Sequence, residues 1–140
     1  MKTAFTALAA ASGCAAARWY LERSSRREAE CLGGRVRLKA LWNEGGAFGL
    51  PVPFPPVTAG AALGLVWSQR RRSPVGAGLI LGGGLSNLAE RVRRGRVYDY
   101  IQFPKAPDPL GRYVFNLADF AILAGGAALL ASRKKPRRRA

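Results

Sequence analysis

Apolar and polar positions do not mix evenly along this chain: four long apolar runs alternate with stretches that hold most of the charge. The first run extends from Thr3 to Leu21 and is uncharged until Arg18. The second begins near Phe54 and ends at Gln69. Pro51, Pro53, Pro55 and Pro56 crowd its entry, so its helix starts at Pro55 or Pro56, where a missing N–H is tolerated. The third, Pro74 to about Ala89, carries Gly76, Gly78, Gly82, Gly83 and Gly84, which suits close helix packing. The fourth, Tyr113 to Ser132, contains Asn116 and Asp119. Crossing a bilayer takes roughly 17–25 largely apolar residues. The pattern therefore predicts an all-α membrane protein, one integral membrane domain over 1–140. Its four transmembrane helices fall at about 3–21, 55–69, 74–90 and 113–132, with outer loops at 22–54 and 91–112 and a basic tail at 133–140.

One outer stretch has a different period. Arg35-Val36-Arg37-Leu38-Lys39-Ala40 alternates polar and apolar on the way to Leu41-Trp42, which predicts a strand and a small extracytoplasmic β-containing loop region. At the start, Lys2, a short apolar stretch and Ala11-Ser12-Gly13-Cys14 look like a cleavable secretory signal. The apolar stretch continues to Leu21, however, about the length of a full span, so an uncleaved helix is expected.

Charge sharpens this picture. The 140 residues carry a net charge of +15 with no histidine. A nucleic-acid module would spread Lys and Arg over a folded surface with aromatics between them. Here they gather at the ends of apolar runs, so lipid and not nucleic acid is the expected partner. Lys2, Arg70-Arg71-Arg72 and the tail from Arg133 place both termini on the cytoplasmic side by the positive-inside rule. Without histidine the chain lacks the usual general base and the commonest zinc ligand. Cys14 and Cys31 have no CxxC spacing, so no metal site and no cofactor are expected.

The candidate chemistry rests on carboxylates. Asp119 lies in an apolar run, where an ionisable group defaults to a functional reading. Asn116, three residues earlier, shares its helix face. Taken alone, the two side chains could equally be polar glue between helices. A second acid, Asp99, follows the third run, and if that run exits where the fourth re-enters, Asp99 and Asp119 meet at one surface. Two close carboxylates share a proton, so one serves as base while the other serves as acid. That is what peptide hydrolysis by activated water requires when histidine and metal are missing.

Three segments, Asn87-x-x-Glu90-Arg91, Val97-Tyr98-Asp99-Tyr100 and Phe115-Asn116-Leu117-Ala118-Asp119, together with Asn43-Glu44-Gly45-Gly46-Ala47-Phe48-Gly49, resemble in order and spacing the signature of the lipoprotein signal peptidases (signal peptidase II). The resemblance covers nearly the whole chain from about Arg35. It implies a catalytic pair at Asp99 and Asp119, with substrate-binding or supporting residues at Asn43, Asn87, Glu90, Arg91 and Asn116. It further implies a bacterial plasma-membrane aspartic endopeptidase acting near the extracytoplasmic face. Its substrate would be a lipid-modified prolipoprotein, cut before the diacylglyceryl-cysteine. Two positions depart from the family. Glu90 stands where Asp is usual; it is expected to pair with Arg91 or a backbone amide and not to donate a proton. Cys14 and Arg18 stand where the first helix of the family carries an Asp and, four residues on, a Lys. The rivals are a catalytically silent homologue that binds lipopeptides and a small basic membrane protein with a structural role.

Overall fold

The computed structural model describes residues 1–24, 28–45 and 55–133. In chain order the elements are α1 (Lys2–Arg23), β1 (Glu28–Cys31), β2 (Val36–Asn43), α2 (Pro55–Ser68), α3 (Pro74–Arg94), β3 (Val97–Gln102), β4 (Val114–Phe115) and α4 (Leu117–Arg133). The four strands form one antiparallel sheet in the order β1-β2-β3-β4. Gly46 to Gly49, the prolines Pro51 and Pro53, and the tail from 134 lie outside the described residues.

The expectation of an all-α chain with four membrane-crossing helices is overturned. The described residues form four α-helices plus a four-stranded sheet, and no described helix is long and apolar enough to cross a membrane. The helices do occupy the apolar runs, but length and charge work against a crossing. At 1.5 Å per residue α2, with 14 residues, is about 21 Å long, short of a hydrocarbon core of about 30 Å. Seventeen residues make up α4, with Asp119 in its first turn. The longer α1 and α3 end in charge: Arg18, Glu22 and Arg23 in one, Glu90, Arg91, Arg93 and Arg94 in the other. Of the sheet, the expected strand appears as β2. The other three strands carry less of a signal: β1, Glu-Ala-Glu-Cys, is only four residues long, β4 has two residues, and β3 from Val97 to Ile101 is apolar on both faces, apart from Asp99, because both faces are covered.

Local chemistry sets the helix ends that matter. Ser73 caps α3, its Oγ accepting from the Gly76 N–H at 3.3 Å, and Pro74 takes the first helical position. Gly95 closes α3 in the left-handed conformation (φ 72°), its N–H returning to the Arg91 carbonyl. That turn feeds straight into β3. Packed against α1, α2 and α4, α3 is the central helix. Small residues let it approach: a Cβ on Gly82 would strike the Ala7 carbonyl and sit 2.7 Å from Ala10 Cβ. In β3, Val97, Asp99 and Ile101 lie on one face and Tyr98 and Tyr100 on the other, and Val97 through Tyr100 are all buried. The sheet thereby seals the end of the bundle where α3 stops and α4 begins.

Candidate active site

Asp99 enters the site from the middle of β3, opposite Leu41 of β2. Asp119 enters from the first turn of α4. Between them stands Asn116, whose side chain makes three contacts. Its Nδ2 donates to Asp99 Oδ1 at 2.7 Å and to Asn87 Oδ1 at 3.1 Å, and its Oδ1 accepts from the Asp119 N–H at 3.1 Å. Both amide hydrogens and the amide oxygen are thus used, which fixes the amide orientation. The Asn116 backbone N–H donates to Asp119 Oδ2 at 2.9 Å, so the helix N-terminus and the acid hold each other reciprocally. Asn87 of α3 donates to Asp119 Oδ1 at 3.3 Å, and Asn43 at the end of β2 donates to Asp99 Oδ2 at 3.1 Å. Asn43 Oδ1 also accepts from the Gly45 N–H at 2.9 Å, which turns the chain as it leaves the strand.

Arg91 completes the set. Its Nη2 donates to the Gly45 carbonyl at 2.9 Å, and its Nε is buried without a hydrogen-bond partner. Asp99, Asp119, Asn43, Asn87, Asn116 and Arg91 all line one cleft of about 810 Å³. The rest of its wall is largely apolar, with Ala59, Leu63 and Val66 of α2 facing Ile122 and Leu123 of α4. Burial pushes the Asp99 carboxyl up to about 6, against the donors Asn43 and Asn116; the nearby Asp119 charge adds to the rise and the Arg91 charge opposes it.

Glu90 is not in this cleft. It is buried on the side of α3 that faces α1, where its Oε2 lies 3.2 Å from Arg18 Nη1 of α1 and accepts from the Tyr98 N–H at 3.4 Å. Of the two partners expected for it, the backbone amide is present and Arg91 is not, because Arg91 turns to the Gly45 carbonyl. Arg94 lies 3.9 Å from Glu90 and 2.6 Å from Glu22, so the ends of α1 and α3 are tied by charge.

Two features escaped the sequence reading. Arg18 is visible as the one charge inside the first apolar run, but nothing in the sequence links it to Glu90, 72 positions away. The Tyr100 hydroxyl accepts from the Leu117 N–H at 3.1 Å and so satisfies an orphan donor at the start of α4. No sequence spacing announces that bond.

This fold and polar cluster define a helix-bundle-and-sheet protein with paired aspartates in an apolar cleft. The family model described as signal peptidase II matches residues 6–133. The chain belongs to the signal peptidase II family. Curated relatives include the lipoprotein signal peptidases of Nitrobacter hamburgensis, 39% identical over 64% of this chain and 63% of that protein, and of Methylorubrum extorquens, 36% identical over 71% and 64%. That of Pelotomaculum thermopropionicum is 44% identical over 66% and 63%. The chain spans just under two thirds of the length of these relatives. A solved bacterial membrane enzyme shares the fold with a TM-score of 0.80 at 17% identity, covering 95% of this chain and 92% of that one.

Proposed function

We propose that the chain is an aspartic endopeptidase of a bacterial membrane that removes the signal peptide from lipid-modified prolipoproteins, cutting before the diacylglyceryl-cysteine. The observation that carries this reading is Asn116 bridging the two acids in one cleft, one amide group holding Asp99 and contacting Asp119. The names of the relatives supply the substrate class.

The pair holds one proton between its two carboxyls. The ionised carboxylate takes a proton from a water molecule as that water attacks the scissile carbonyl carbon. The protonated carboxyl gives its proton to the carbonyl oxygen, forming a neutral tetrahedral intermediate. Collapse of the intermediate breaks the C–N bond, with the amine protonated by the acid now formed from the original base and one hydroxyl proton of the intermediate returned to the other carboxylate. Asn43, Asn87 and Asn116 keep the carboxyls oriented by donating to them, and Arg91 ties the chain at Gly45 beside the cleft. The apolar wall between α2 and α4 suits a hydrophobic signal segment. Large apolar side chains exposed around the bundle, among them Phe5, Leu65, Leu123 and Leu130, support contact with lipid.

The test is cleavage by the purified chain of a diacylglyceryl-modified prolipoprotein, with the unmodified precursor as control. Cleavage of the modified form alone is expected. A correctly folded chain that leaves both precursors intact overturns the proposal.

A further inference from the structure

The end of the molecule opposite the aspartates has a chemistry of its own. On α3, Gly78 faces Thr6 of α1 and Glu90 meets Arg18, so α1 and α3 run parallel. Gly76 faces Gly125 and Ala128 whereas Gly83 faces Ala118, so α4 runs antiparallel to α3. One end of the bundle therefore collects Lys2, the turn from Gln69 to Ser73 and the last turns of α4. All eight carboxylates belong to the other end. Glu22 and Glu90 lie in the last turns of α1 and α3, and Asp119 in the first turn of α4. Glu28, Glu30 and Asp99 are in the sheet, and Glu44 and Asp108 lie in the loops beside it. Arg70, Arg71 and Arg72 enter no ion pair with any described residue, whereas Arg37 and Arg94, in the basic stretches beside the sheet, do.

A recess of about 250 Å³ opens beside this uncompensated charge. Gln69 and Arg72 line one side of it and Gly126, Leu129 and Leu130 of α4 the other. Polar donors on one wall and hydrocarbon on the other match an amphiphile, not a free anion or a nucleic acid. Trp67 adds a level marker: it is half exposed, and the Arg70 guanidinium sits 4.4 Å from its ring centroid, at the border between the apolar helix surface and the charged turn. We infer that this recess is a second binding site, which takes the phosphate of an anionic glycerophospholipid on Arg72 and Gln69 and lays its acyl chains along Leu129 and Leu130. Lipid recognition by basic pockets between helices follows the same logic of a compensated charge above an apolar groove. The inference requires that the chain meet lipid; it does not require that it cleave peptides.

The full chain in neutral detergent micelles is titrated with dihexanoyl-phosphatidylglycerol, dihexanoyl-phosphatidylcholine or inorganic phosphate, with the melting temperature followed. A saturable rise with the phosphatidylglycerol alone is expected. Arg72→Gln should weaken it about fivefold, the ratio expected for one basic side chain at an anionic surface. Arg35→Gln, an exposed arginine at the sheet end, should leave it unchanged. Gly126→Leu adds bulk to the apolar wall at a position where a Cβ meets nothing within 4 Å, and should weaken binding as well. This variant carries the test if Arg72→Gln fails to fold. An equal response to phosphatidylcholine, a response reproduced by inorganic phosphate, or the same affinity in Arg72→Gln, Gly126→Leu and the parent overturns the inference.

Discussion

At the scale of single residues, Asp99 is the most informative position. Its carboxyl rises from an ordinary value near 3.8 to about 6, first because it is buried. A raised carboxyl favours the protonated form in the folded state. The associated stability is therefore complete below about pH 4 and is lost as pH rises through about 6, to the extent of about 3 kcal/mol at most. Asp99→Asn, which mimics the protonated acid, should melt above the parent at about pH 8 and level with it near pH 4. A lower melting temperature at both would show that the carboxylate itself holds the fold. The same variant, and Asp119→Asn, should each abolish cleavage while the chain still folds, because each removes a proton carrier of the pair. Near-parental turnover from either would sink the aspartic mechanism. Glu90 predicts a different outcome. It touches Arg18 and the Tyr98 N–H, not the cleft, so Glu90→Gln should lower the rate yet keep the apparent ionisation near 6 in the pH–rate profile. Disappearance of that limb would put Glu90 in the proton traffic.

At the scale of elements, the close approach of α1 and α3 brings Arg18 to Glu90 beneath the first residues of β3. The Arg18–Glu90 pair can form only if the two helices touch along their length, and Gly78 and Gly82 permit that. Gly82→Leu would press on the Ala7 carbonyl and on Ala10, which are backbone and methyl groups with nowhere to move. We expect a loss of about 1–3 kcal/mol, read as a lower melting temperature, together with lower cleavage because Arg18 is drawn away from Glu90. Unchanged stability would mean that the helices are free to part. Much at this scale was legible: apolar runs and their proline and glycine punctuation mark the four helices, and the alternation from Arg35 to Ala40 marks β2. Three strands were not legible, because β3 is buried on both faces and β1 and β4 owe their pairing to their neighbours.

At the scale of the whole molecule, charge and apolar surface are segregated. Large apolar side chains ring the helices, all carboxylates lie at the sheet end, and the turn of Arg70 to Arg72 lies at the other. A chain with so much exposed hydrocarbon should stay monodisperse in detergent and associate when detergent is removed, as size-exclusion chromatography can show. A monodisperse monomer without detergent would mean that the exposed faces are not lipid-facing.

What the sequence determined by itself was the chemistry available and its rough address. Asp99, Asp119 and Asn116 stood out by residue type and position, because residue type limits which groups can carry or orient a proton, whereas the family resemblance implied the supporting roles of Asn43, Asn87 and Arg91. Helix positions followed too, since hydropathy periodicity is a local property of the chain. The tertiary structure alone decided which of these groups meet. Asn116 joins Asp99 to Asp119 because α4 begins beside the middle of β3. Glu90 pairs with Arg18 and not with its neighbour Arg91 because the glycines of α3 let α1 come close. Those contacts join residues 17 to 72 positions apart, and packing geometry, not sequence order, sets such distances.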